Sequence, residues 1–323
     1  MDRLIAPNSV IAAQADAAPA TGTPQFATDG NPATNTPATQ WPAYQYNALQ
    51  EELIAILVAA GVTPDRTQNN QINAALRKMY TPVIGFARNV SAFLGTTGPT
   101  VTFNADEIVV KAALGGQSYM LSPFSKAVSL GGTGIGGVVG TAPAANGFAA
   151  VYAAYGLVAG AGIFVTDATA AKASEVAGVT LPSGYTASAL IGIVPMGTTT
   201  ANFAPFLLMD RKVDWGGGNL LTSSTFVGGP TARPSTAFIP LNARFISGFN
   251  QVGSTTASAV SQVITPTSIA GAGGQYNTVN IQSGASQAIP FRVAVVTPQT
   301  IYQQSSNSAG TPGFTISTNS FEF

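Results

Sequence analysis

The sequence has no cysteine and no histidine, and its 323 residues include only 13 basic and 13 acidic side chains. Without cysteine there are no disulfides, and the redox compartment cannot be read. Zinc, haem, iron–sulfur and blue-copper sites mostly need one or both missing residues, so no metal site and no cofactor are expected. Catalytic triads built on histidine or cysteine are excluded. The net charge is zero. With no basic cluster, the chain lacks the electrostatic means to grip a phosphate backbone, and no nucleic-acid partner is expected.

Low charge leaves long uncharged stretches such as residues 127–166. Glycines between Gly131 and Gly137, and Pro143, interrupt that stretch. It reads as β-structure with neutral polar surfaces, without membrane insertion. Met1–Pro7 has no basic run followed by an apolar core and does not read as a signal peptide.

Residues 1–40 are rich in Ala, Pro, Thr and Asn; Pro7, Pro19, Pro24, Pro32 and Pro37 recur without hydrophobic periodicity. They read as an extended anchoring arm that gains order from a partner. Residues 41–81 read as a helical hairpin. Leu49, Leu53, Ile56, Leu57 and Ala60 share one helical face, with Pro42 in the first turn and Gly61 as the stop. Thr63 as cap and Pro64 in the first turn restart a helix that carries Ile72, Ala75, Leu76 and Met79 and ends at Pro82. Two short helices cannot bury both apolar faces alone, so self-association through them is expected.

After residue 82 the pattern is β. Residues 101–103 and 108–110 flank a hairpin-like turn at 104–106. Further strands are expected at 148–155, 163–166, 189–194, 203–208, 238–249, 259–264, 278–281, 291–296 and 314–318. A composition shift at Trp215-Gly216-Gly217-Gly218-Asn219 suggests a boundary. The expected fold is mainly β: arm 1–40, hairpin 41–81, a knob-like β-region 82–215 and a distal β-domain 216–323, both sandwich-like.

Two stretches carry a resemblance. Phe26-Ala27-Thr28-Asp29-Gly30-Asn31-Pro32-Ala33-Thr34-Asn35-Thr36-Pro37-Ala38-Thr39 runs to Trp41, then to Asn47-Ala48-Leu49-Gln50-Glu51-Glu52-Leu53 and Gly61. This is similar to the N-terminal region of tailed-bacteriophage and prophage tail fibres, although Pro42–Tyr46 lengthen the usual spacing after the tryptophan. Leu181-Pro182-Ser183-Gly184-Tyr185-Thr186, leading to Ile191-Gly192, resembles the segment "P-x-GYT-x-x-x-x-IG" of β-rich knob modules in such proteins. The resemblance implies a virion structural protein of the tail, assembled in the host cytoplasm as a homotrimer. Its N-terminus would attach to a tail protein (adaptor, nozzle or baseplate). Its distal β-domain would meet a host cell-surface glycan or outer-membrane receptor. A purely architectural tail adaptor, tip or decoration, and a polysaccharide depolymerase tailspike, are the alternatives.

Glycoside hydrolysis usually needs two carboxylates about 5–10 Å apart. The candidates are Asp106, Glu107, Asp167, Glu175, Asp210, Asp214 and Glu322. Asp106 and Glu107 point to opposite faces if extended, and Asp210 and Asp214 share a face about 13 Å apart on a regular strand. No catalytic residue is assigned. Gly131–Gly137 lacks the Gly-Lys-Ser/Thr ending of a phosphate loop and reads as a tight turn. Tyr276, in a loop-like context, and Arg292 are the candidate receptor contacts. Trp41 is the expected packing anchor between arm and helix, with Leu49, Leu53 and Leu57 as the attachment face.

Overall fold

The structure, a computed structural model, describes residues 3–23, 26–80, 83–168 and 179–323; Pro24, Pro82 and Glu175 lie outside them. The chain is mainly β, with two α-helices among the described residues, and divides into two compact units, Met1–Thr81 and Pro82–Phe323.

In the first unit α1 spans Ala43–Ala59 and α2 spans Gln71–Met79. The stop of α1 follows from its sequence. Gly61 adopts φ 62°, its N–H donates to Val58 O, and the Val62 N–H donates to Leu57 O. That double closure caps the last carbonyls and folds Val62 back onto the helix. Ile54, Leu57, Ala60 and Ala75 form the small core.

The second helix starts at Gln71 rather than after Thr63. Asp65 Oδ1 accepts from both the backbone N–H and the hydroxyl of Thr67, which holds the chain in a turn. The buried Gln71 amide closes the loop: Nε2 donates to Thr63 O at 2.8 Å and Oε1 accepts from Asp65 N–H at 2.9 Å. With 9 residues, α2 is about half as long as α1, which has 17. It covers only the C-terminal part of the α1 stripe, so Leu57 is buried, Leu53 half-buried and Leu49 exposed.

The arm is not simply extended. Arg3 makes a two-pronged ion pair with Glu51 of α1, and the Leu4 N–H donates to Gln50 Oε1. Residues 28–39 close into a loop: the Thr39 N–H donates to Thr28 O, and Asn31 and Thr36 exchange two backbone hydrogen bonds. Asn31 Oδ1 also accepts from the Ala33 N–H and caps a short 3-10 turn, Pro32–Thr34. Trp41 is 69% exposed.

The second unit contains β1 Ala87–Arg88, β2 Ser91–Leu94, β3 Thr100–Ala105, β4 Glu107–Lys111, β5 Ser118–Leu121, β6 Phe124–Ser129, β7 Phe148–Gly156, β8 Gly160–Asp167 and β9 Ala187–Pro195. It continues with β10 Phe206–Met209, β11 Lys212–Ser223, β12 Thr231–Pro234, β13 Phe245–Ser254, β14 Ser258–Thr265, β15 Gln275–Ile281, β16 Ser286–Ala294, β17 Thr300–Asn307 and β18 Pro312–Glu322. An eight-stranded sheet runs β16-β13-β18-β11-β10-β2-β3-β6. A six-stranded sheet runs β1-β4-β9-β7-β8, with β5 on β4, and a four-stranded sheet runs β12-β17-β14-β15.

Three expectations are corrected here. β3 and β4 do not form a hairpin: β3 pairs with β2 and β6, β4 with β1, β5 and β9. The chain changes sheets at Asp106, so one run feeds each layer. The boundary near residue 215 is absent, because β11 passes through it and pairs with both β10 and β18. Gly217, at φ 58°, forms a bulge where an added Cβ would meet Thr318 O, and at Gly218 a Cβ would meet the Phe238 ring. The glycines admit close neighbours within a strand rather than marking a linker. Finally, the strand expected from residue 238 begins at Phe245, because residues 239–243 form turns around Pro240.

Burial decides the layering. β7 and β9 are buried on nearly every residue and sit at the centre of the six-stranded sheet. In the eight-stranded sheet, Leu208, Val213, Phe321, Ile246 and Val293 lie in register across five strands and are buried. That face packs against the six-stranded sheet at one end, where Phe148 meets Phe321 edge-on at 5.5 Å. At the other end it packs against the four-stranded sheet. Asn250 Nδ2 donates to Gln262 O at 3.1 Å, and Asn277 Nδ2 donates to Asn250 O at 2.7 Å. The Gly131–Gly137 segment is a tight turn: the Gly136 N–H donates to Ile163 O and the Val138 N–H to Gly132 O.

Candidate functional site

Outward positions of the four-stranded sheet form a hollow of about 460 Å³ next to Tyr276. Strand register builds it. Tyr276, Val263 and Gln304 lie side by side on β15, β14 and β17, and Thr278, Ser261 and Ser306 form the next row. Paired residues on antiparallel strands share a face, so these six side chains point the same way. Ser261 and Thr278 share a hydroxyl–hydroxyl hydrogen bond at 2.7 Å, and Gln304 Nε2 donates to Gly228 O at 3.0 Å. Tyr276 is 55% exposed, and its hydroxyl end lies against Gly271. The next residue, Asn277, faces inward and ties β15 to the eight-stranded sheet, which holds the tyrosine's strand in place.

Among the described residues, no charged side chain lines the hollow. Hydroxyl and amide groups both donate and accept, and the tyrosine ring adds an apolar plate. This chemistry suits an uncharged polyhydroxyl ligand. Ser261, Gln304 and Ser306 carry no motif. Their signal is the outward alternation of β14 and β17, and β17 hides it because Gln303 and Ser305 occupy its buried positions.

Arg292 stands elsewhere, on β16. Its Nε and Nη2 donate to Glu322 at 2.8 Å each, and its guanidinium lies 3.7 Å from the Phe245 ring centroid. The Arg292 hydrogen bond holds the Glu322 carboxyl below its usual range. Tyr276 and Arg292 belong to different sheets, and Arg292 works as a clamp across β16, β13 and β18. Trp41 and Leu49 lie exposed in the first unit and Leu57 in its core.

The acidic residues disperse. Asp210 occupies the β10–β11 turn at φ 53°, where its Oδ1 accepts from the Val90 N–H, so it is not on one regular strand with Asp214. Asp214 pairs with Lys212 at 2.8 Å, and Asp106 accepts from Asn89 Nδ2. Among the described residues, no group of three or more acidic side chains is placed to hold a metal ion, and no helix is long and apolar enough to cross a membrane.

No family model matches the chain, and no curated protein matches it. Among solved structures, it is similar to a mutant VP2 protein of infectious bursal disease virus in T=1 particles, at 13% identity over 75% of this chain, with a TM-score of 0.18. The match spans 66% of that protein's length. A likeness of this size carries no argument about fold or function.

Proposed function

We propose that the chain is a structural protein of a bacteriophage virion, of the tail-fibre type. In this reading it is a non-enzymatic homotrimer that attaches through residues 1–81 to a tail protein and presents its β-unit to the host surface. The class rests on the resemblance of residues 26–62 and 181–192 to tail fibres. The observation that carries the adsorption role is the uncharged hollow beside Tyr276, which suits a neutral glycan. Exposed Trp41 and Leu49, with the closed loop 28–39, supply the surface for attachment and for sister copies. Binding to one hollow is weak, and three linked copies raise it by avidity.

The test is adsorption of purified protein to host cells, and its ability to block phage adsorption, at low and high salt. Binding is expected to change little with salt, because few charges are available to screen. Tyr276→Ala should cut it about tenfold or more, the loss of about 1.4 kcal/mol, while leaving the melting temperature in place. Adsorption unchanged in Tyr276→Ala places the contact elsewhere. Failure of the wild type to adsorb or block favours the architectural role. Release of soluble sugar from host polysaccharide establishes a depolymerase.

A further inference from the structure

Within the second unit, the described strands cover the eight-stranded sheet on one face. Both smaller sheets pack on the face that carries Leu208, Val213, Phe321 and Ile246. Within this unit, no described element lies over the opposite face. That face carries large apolar side chains: Phe93 of β2 is 71% exposed and pairs in register with Leu207 of β10, and Met209, two residues on, is 61% exposed. Phe249 of β13 is exposed on the same face.

Between these apolar groups lie Lys212, Asp214, Glu322 and Arg292, two positive and two negative. All are paired within the chain, Lys212 with Asp214 and Arg292 with Glu322. The face presents apolar surface around a charge-balanced centre. An acidic or basic partner finds no net charge there to complement. A surface that is itself neutral packs on it without leaving a buried charge unpaired. This face, with its two positive and two negative groups paired, is itself such a surface.

The dimensions agree. Eight strands at about 4.8 Å spacing make a face roughly 34 Å wide. With strands of 4 to 12 residues, its footprint is roughly 800 Å², close to what each partner contributes to a stable protein–protein interface.

We propose that this uncovered face is a self-association surface and that its occupant is a second copy of this chain. The contact is separate from the helices of the first unit and does not depend on the tail-fibre reading.

The experiment uses the full chain. Sedimentation of the wild type should show an oligomer, and the double variant Phe93→Glu with Met209→Glu should associate at least about tenfold more weakly, with circular dichroism reporting its fold. Because the chain has no cysteine, single introduced thiols give a second readout that does not depend on that variant folding. Met209→Cys should cross-link between copies with a short bifunctional reagent, and Thr278→Cys, on the outer face of the four-stranded sheet, should not. A monomeric wild type, or equal cross-linking at both positions, overturns the proposal. So does undiminished association of the folded double variant. Loss of adsorption with association intact would bear on the tail-fibre reading alone.

Discussion

Arg292 reaches across β13 to Glu322 on β18, its guanidinium over the Phe245 ring, and closes both hydrogen bonds at 2.8 Å. The pair fixes the edge strand β16 to the third strand of the sheet. Its pH dependence has a definite sign. The Arg292 hydrogen bond lowers the Glu322 carboxyl below its ordinary value. The resulting stability is fully present above that ordinary value and is lost as pH falls through the lower folded one. Glu322→Gln should therefore melt below wild type at about pH 7, with the gap narrowing as pH falls below the ordinary carboxylate range and the wild-type carboxyl protonates. A gap independent of pH would mean that packing, not charge, makes the difference.

Gly218 faces the Phe238 ring, and an added Cβ would lie 2.3 Å from it. Gly218→Val forces the aromatic or the strand to move and should cost about 1–3 kcal/mol. Gly216→Ala, where a Cβ meets nothing within 4 Å, should cost less. Urea denaturation of the two variants gives the comparison.

The continuity of β11 makes residues 82–323 one folding unit. A fragment of residues 216–323 should lack dispersed amide resonances, because β18 loses its pairs with Lys212, Val213 and Asp214 and the Phe148 contact, and β11 loses its β10 neighbour. A fragment of residues 82–323 should show them. A well-folded 216–323 would restore the boundary that the structure removes.

Gln71 is the buried stitch of the helical unit. Gln71→Ala removes the partners of the Thr63 carbonyl and the Asp65 N–H and should cost about 1–3 kcal/mol. Asn69→Ala, at an exposed position of the same loop, serves as the control. Amide hydrogen exchange of α2 reports the difference.

The sequence by itself determined several features of this protein. Composition excludes histidine and cysteine chemistry. Local signals placed α1 and its stop at Gly61, and the alternation of Phe314, Ile316 and Thr318 marked their shared buried face. Tertiary structure decided what pairs with what. Period-two alternation says which face of a strand is buried, but not which strand lies beside it. The sheet change at Asp106, the strand through Trp215 and the clamp from Arg292 to Glu322 all rest on pairings between distant segments. The hollow beside Tyr276 arises in the same way. It joins β14, β15 and β17, whose polar outward residues meet only because antiparallel register aligns them.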